Sequence, residues 1–172
     1  MTRSLSLTFR EAINAQQTGE VAIYLLTITH PDAAGPLRLS SDPTERVSDV
    51  PLSYKTVSRS NDYVFVPMAI QWPDETDMAA PRAAIRIAGA NRVATELVRE
   101  FNTPAKMIIE TVLASAPDTV EFATPELDII SARLTSGDII LDVALNSMEQ
   151  EPYPAHNFHP SSNPGLFGLR QG

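Results

Sequence analysis

The chain has 172 residues, of which 43% are hydrophobic and 20% charged, and its formal net charge is −8. This composition is typical of one folded domain, and no apolar run reaches the ~18 residues that a membrane helix needs. The absence of cysteine excludes disulfides, thiolate metal sites and thiol nucleophiles. The surplus of acidic residues disfavours sequence-independent binding to the phosphate backbone of nucleic acids.

The first part of the chain predicts a short helix and a β-hairpin. Thr8 and Glu11 have the spacing of a capping box, which predicts a helix of about three turns. The start of the chain turns polar too early for a signal peptide, so we expect none. The apolar run Glu20–Thr29 predicts a largely buried strand, and Leu37–Ser40 predicts its hairpin partner after a proline- and glycine-containing turn.

The middle of the chain predicts a loop, three short strands and a second helix. The polar stretch Ser41–Asp62 predicts a long loop with room for one short strand. Strands are predicted for 63–66 and 68–72, separated by Pro67, and for the alternating stretch 82–88. An apolar stripe of Val93, Leu97 and Phe101 at every fourth position predicts a helix that Asn91 caps.

The last third predicts four strands and a tail. The strands are 105–115, 119–123, 126–135 and 138–147; Pro117 and Asp118 form a turn, and Ser136 and Gly137 form the last hairpin turn. The chain thus has about eight strands and two short flanking helices, which predicts a mainly β (α+β) fold, a β-sandwich or a partly open barrel. We expect one domain over residues 1–150 and a proline-rich arm over residues 151–172.

The sequence offers few groups for catalysis. His156 and His159 lie in the proline-rich tail, which is a poor support for a base or a metal ligand, and His30 follows a strand. The acidic cluster Asp74, Glu75 and Asp77 lacks the central glycine and spacing of a calcium loop, and we interpret it as a hydrated turn. Asp128 and Asp142 lie on neighbouring predicted strands, but nothing around them indicates a shifted pKa. We therefore predict no catalytic residues, cofactor or metal, and no enzyme.

Several stretches, taken together in this order, resemble an uncharacterised family found among tail-assembly genes of tailed phages. They are Arg10–Asp32 (REAINAQQTGEVAIYLLTITHPD), Ile85–Val98 (IRIAGANRVATELV), Met107–Glu121 (MIIETVLASAPDTVE) and Glu151–Phe167 (EPYPAHNFHPSSNPGLF). That family is distantly similar to the hub domain of minor tail protein L of lambda-like phages. The chain departs from that protein by lacking the cysteine-bearing domain that holds an iron–sulfur cluster there.

The resemblance implies a virion structural protein of the tail tip with a tail-tube or hub-like fold. It implies a baseplate hub ring, a homo-oligomer that is trimeric by analogy, linking the tail tube and distal tail protein to the central tip or fibre protein. The tape measure protein is a further candidate partner. The protein would be assembled in the host bacterial cytoplasm, with no membrane contact and no specific nucleic acid binding, although phage DNA passes through the ring.

Under this reading, residues 151–172 act as a docking arm. Its apolar anchors for a partner are Tyr153, Phe158, Leu166 and Phe167. A disordered tail is the other interpretation of this segment. The alternative function is a tail-assembly chaperone or adaptor that does not enter the virion.

Overall fold

A computed structural model of the protein describes residues 5–72, 82–88, 105–135 and 137–145. Within these ranges the chain is mainly β, as the sequence predicts, with eleven strands and one helix. The helix α1 covers Leu7–Asn14. The strands are β1 Ala22–Thr29, β2 Leu37–Ser40, β3 Glu45–Asp49, β4 Leu52–Ser58, β5 Asn61–Phe65, β6 Met68–Gln71, β7 Arg82–Ile87, β8 Lys106–Leu113, β9 Ala116–Ala123, β10 Leu127–Thr135 and β11 Asp138–Leu145.

All eleven strands belong to one sheet. Its order is β3-β4-β5-β2-β1-β8-β10-β11-β7-β6, and β9 also pairs with β8. The pairing of β2 with β5 is parallel, whereas the other pairings of the described strands are antiparallel. The path of ladders is open, because its two ends, β3 and β6, do not pair with each other.

One stretch of chain, residues 61–71, pairs with both halves of this sheet. Its first part, β5, lies beside β2, and its second part, β6, lies beside β7. Only Val66 and Pro67 separate the two strands. The N–H of Val66 donates to the carbonyl of Ser40 (3.0 Å), and the N–H of Ala88 donates to the carbonyl of Pro67 (2.8 Å). The sheet therefore curls until its two halves meet at this stretch.

The curl encloses the main hydrophobic core. Its buried side chains are Leu26, Ile28, Leu39, Val66, Ala83, Ile85, Ile87, Met107, Ile109, Ile139, Leu141 and Val143. A second cluster lies on the other face and contains Ile23, Leu25, Tyr63 and Val112. Strand β1 is thus buried on both faces, which explains why its sequence is almost continuously apolar instead of alternating. Burial of each large aliphatic side chain stabilises the fold by ~1.5–3 kcal/mol.

The predicted loop 41–62 is wrong, because this stretch forms β3 and β4 and the start of β5. Strand β3 has no buried residue, and the buried side chains of β4 are the hydroxyls Thr56 and Ser58. Neither strand therefore shows the apolar pattern by which a strand is recognised. The count of about eight strands was low mainly for this reason.

The amino-terminal helix starts earlier and is shorter than predicted. Ser6, not Thr8, is its N-cap, and the Ser6 hydroxyl accepts from the N–H of Phe9 (3.1 Å). The N–H of Ser6 donates to Glu121 (2.8 Å), a buried carboxylate on β9, and so ties the helix to the sheet. This contact fixes the position of the cap. It could not be predicted from the local sequence, because Ser6 and Glu121 are far apart in the chain.

The remaining predictions of local structure have mixed outcomes. Pro117 and Asp118 lie inside β9 and form no turn. The last hairpin is confirmed: Thr135 pairs with Asp138, and Gly137 has a positive φ of 100°, a conformation that favours glycine. The predicted helix after Asn91 and the predicted arm 151–172 lie outside the described residues.

Candidate partner-binding surface

The polar groups singled out in the sequence have structural contacts where the structure describes them. The His30 side chain is buried, and its Nδ1 accepts from the N–H of Asp32 (3.1 Å). Asp128 and Asp142 are not opposite one another, because Asp128 pairs with Ala144 and Asp142 with Ser131. Among the described residues, no group of acidic or histidine side chains is arranged to hold a metal ion. No described helix is long and apolar enough to cross a membrane.

The hairpin of β3 and β4 carries the most exposed large apolar side chain of the described chain. Val50, at the turn of this hairpin, is 90% exposed. Val47 and Leu52, on either side of it, are 55% and 58% exposed. We call these three residues the hairpin tip. Apolar side chains concentrated at one projecting point are typical of a protein–protein contact.

A buried network of hydroxyl groups holds the base of this hairpin. The Thr56 hydroxyl lies 2.7 Å from the Ser40 hydroxyl and 2.9 Å from the Thr44 hydroxyl, and it donates to the carbonyl of Asp42 (3.0 Å). Ser40 and Thr56 have no exposed surface. Because buried hydroxyls are costly to separate from their partners, this network fixes β4 against the strand that precedes the hairpin.

A clamp at Arg59 fixes the other end of β4. Arg59 and Ser60 form the turn between β4 and β5, and both have positive φ values, 49° and 63°. Such a backbone is strained for residues with a side chain. The guanidinium forms a bidentate ion pair with Glu110 on β8, which offsets this strain. The backbone N–H of Arg59 donates to Asp118 on β9. The hydrogen bond with Glu110 raises the pKa of Arg59.

Replacing Arg59 by alanine is expected to lower the free energy of unfolding by ~1–3 kcal/mol, because the carboxylate of Glu110 is only 15% exposed and loses its main partner. Lys55→Ala is the matched control, since it removes a more exposed ion pair with Asp62 that is worth ~0–1 kcal/mol. Urea unfolding followed by circular dichroism measures both. Equal effects of the two substitutions would show that the clamp has no special role.

A second exposed apolar surface lies on β10. Ile130 and Leu134 are 51% and 44% exposed. Arg133, on the opposite face, donates to Asp142 (2.8 Å). This surface is on the far side of the sheet order from the hairpin tip. Exposed apolar side chains thus occur on β10 as well as at the hairpin tip, and Leu7 and Ile13 of α1 are exposed too.

Aromatic side chains pack where β6 ends. The ring of Trp72 makes edge contacts with Tyr24 on β1 (6.2 Å between centroids) and with Phe122 on β9 (6.3 Å). Trp72 remains 38% exposed. These contacts join the end of β6 to β1 and β9.

Most basic side chains of the described ranges are paired with carboxylates. The pairs are Arg46–Asp49, Lys55–Asp62, Arg59–Glu110, Arg86–Asp138, Lys106–Glu126 and Arg133–Asp142. A hydrogen bond from Lys106 to Glu126 raises the pKa of Lys106. These cations are compensated within the chain, so they do not form the unpaired basic patch that binds phosphate backbones.

The docking residues predicted from the sequence, Tyr153, Phe158, Leu166 and Phe167, lie outside the described residues, as do His156 and His159. The acidic cluster 74–77 lies outside them too. The sequence reasoning missed the hairpin tip. The available signal was the group of apolar residues around Pro51 in an otherwise polar stretch.

No model of a known protein family matches the chain. A search of curated proteins also found no match.

Proposed function

We propose that this chain is a non-catalytic structural subunit of the tail tip of a tailed phage. In this role it forms part of a baseplate hub ring and links the tail tube and distal tail protein to the central tip or fibre protein. The resemblance to the tail-assembly family is the basis for the location in the tail, and the observation that supports a partner-binding role is the exposed hairpin tip, whose base is held by buried hydroxyls. An apolar contact point that the fold keeps in place is suited to permanent assembly.

The curled sheet supports the finer description of the fold as a partly open barrel of the tail-tube or hub type. Residues 61–71 join the two halves of the sheet, so the described strands enclose a core in the manner of a barrel. The stretch changes its neighbour at Val66 and Pro67, and the end strands β3 and β6 do not pair with each other, which is consistent with a partly open barrel.

A ring around the tail axis is consistent with the charge of the chain. The net charge is −8, and phage DNA passing through such a ring must not be held by it. The pairing of basic side chains with carboxylates on the described surface supports the same conclusion. We propose a homo-oligomeric ring, trimeric by analogy, in the virion tail tip.

The alternative is a tail-assembly chaperone or adaptor that leaves before the virion is complete. Quantitative mass spectrometry of purified virions separates the two functions. A few stoichiometric copies per particle are expected for a hub subunit. Absence of the chain from infectious particles would overturn the hub function and favour the chaperone.

Replacing Val50 by aspartate is expected to block assembly and leave the fold intact. Val50 is 90% exposed, so its substitution should change stability by no more than ~0.5 kcal/mol. A charge at an apolar contact point should weaken the interface by about 2 kcal/mol or more. Phage complementation and thermal melting measure the two effects.

Ala34→Asp is the matched control, because it adds the same charge at an exposed turn between β1 and β2. It should assemble normally. Normal plaques with Val50→Asp would show that the hairpin tip has no partner.

A further inference from the structure

Among the described residues, the outer half of β10 is a sheet edge with no strand paired on one side. Strand β8 pairs with β10 only at Leu127 and Asp128, and the last backbone contact is from the N–H of Ile129 to the carbonyl of Ala105 (2.9 Å). From Ile130 to Thr135, β10 has β11 on one side and no described strand on the other. Pro104, which precedes Ala105, has no N–H with which to extend the ladder. We call residues 130–135 the β10 edge.

The other edges of the described sheet carry features that discourage pairing. Strand β3 contains three charged residues among its five and a register shift. Strand β6 has four residues and follows Pro67, and β9 contains Pro117 and two register shifts. Charges, prolines and irregular register are the usual protection of an edge strand.

The β10 edge has less of this protection. Its register shift lies at its start, and its single charged residue, Arg133, is paired with Asp142. Ile130 and Leu134 instead present exposed apolar side chains. An edge with these properties is a template for an added strand.

We infer that the β10 edge receives the segment 165–172 of a neighbouring copy of this chain as an added strand. This inference rests on the proposed ring of identical subunits and names the contact that joins them. The segment, GLFGLRQG, contains no proline, unlike the residues 151–164 before it. In an added strand Phe167 and Leu169 lie on one face, where they match the spacing of Ala132 and Leu134 on β10.

The place where β11 ends makes this contact reachable. Leu145 pairs with Leu127, at the opposite end of β10 from the edge. The distance along β10 from Leu127 to Thr135 is on the order of 25 Å. A chain with the length of residues 146–164 reaches at most on the order of 60 Å when fully extended. A connection of this length is long enough to bring the segment to the β10 edge of a neighbouring subunit in the proposed ring.

The absence of cysteine permits a direct test by disulfide formation between separate chains. One population carries Ala132→Cys, and four others carry Leu166→Cys, Phe167→Cys, Gly168→Cys or Leu169→Cys. Each arm variant is mixed with the Ala132→Cys protein under mild oxidation, and mixed dimers are measured on non-reducing gels. Because successive side chains of a strand point to opposite faces, mixed dimers are expected at alternate arm positions and lost at the positions between them.

Gly19→Cys replaces Ala132→Cys in the control, since Gly19 is exposed with open space where a side chain would begin. Dimers with Gly19→Cys as abundant as those with Ala132→Cys, or dimers without alternation, would overturn strand addition. Disulfides that form only within one doubly substituted chain would also overturn the inference, because the arm would then dock on its own subunit.

The same pairs of substitutions in phage particles separate this inference from the proposed function. Virions that contain the chain but form no disulfide between residue 132 and the arm overturn the docking and leave the hub function in place. Absence of the chain from virions overturns the hub function, whereas alternating disulfides in the purified protein would still support the contact between copies.

Discussion

Replacing Leu26 by aspartate is expected to prevent the chain from folding. Leu26 has no exposed surface, lies at the centre of the main core and is paired on both sides, with Leu39 on β2 and Ile109 on β8. The substitution loses ~1.5–3 kcal/mol of apolar burial and adds a buried charge that costs several kcal/mol more. The sum is comparable to the total stability of a domain, ~5–15 kcal/mol.

Circular dichroism and the yield of soluble protein measure this effect. Thr29→Asp is the matched control, because Thr29 is the exposed last residue of the same strand. It should change the melting temperature little. A Leu26→Asp protein with the melting temperature of the parent would contradict the two-sided burial of β1.

Deleting residues 151–172 is expected to stop incorporation into phage tails and leave a folded protein. The described strands and both hydrophobic clusters are formed by residues that precede this segment. The deletion removes the four proposed anchors, Tyr153, Phe158, Leu166 and Phe167. A few such anchors usually carry most of the binding free energy of an interface, so their joint loss should abolish plaques.

Phage complementation and circular dichroism of the purified truncated protein measure the two parts of this prediction. Phe158→Ala combined with Phe167→Ala should reproduce much of the defect. His156→Ala combined with His159→Ala is the control from the same segment and should have little effect. Normal plaques from the truncated chain would favour a disordered tail, and a truncated protein that fails to fold would place the segment in the core.

The strands that could be predicted from the sequence are those that bury apolar side chains. β1 was found from its continuous apolar run and β7 from its alternation, and β11 was found with its glycine-containing turn. β3 and β4 were missed because they are stabilised by ladders, by the hydroxyls of Ser40 and Thr56 and by the ion pair of Arg59 with Glu110. Hydroxyl pairing between distant residues leaves no periodic signal in the chain.

The hairpin tip could be predicted only in part, for a related reason. The sequence shows that Val47, Val50 and Leu52 are apolar, but their exposure depends on where the ladders place the hairpin. Whether part of β10 is left without a partner depends in the same way on the register between β8, β10 and β11. Composition and charge, by contrast, could be read directly from the chain, and they disfavour binding to phosphate backbones. The proposal of an assembling protein rests instead on the resemblance to the tail-assembly family and on the exposed hairpin tip.

The stretch 61–71 also determines how the molecule carries mechanical load. The hairpin of β3 and β4 leads through the clamped turn at Arg59 into β5, and β5 continues through Val66 and Pro67 into β6. A partner that pulls on the hairpin therefore pulls on covalent bonds that run to the middle of the fold. To release this stretch, the protein must break the pairing of β5 with β2 and β4 and the pairing of β6 with β7. In the proposed ring, a load applied to the hairpin would therefore reach both halves of the sheet through this one stretch.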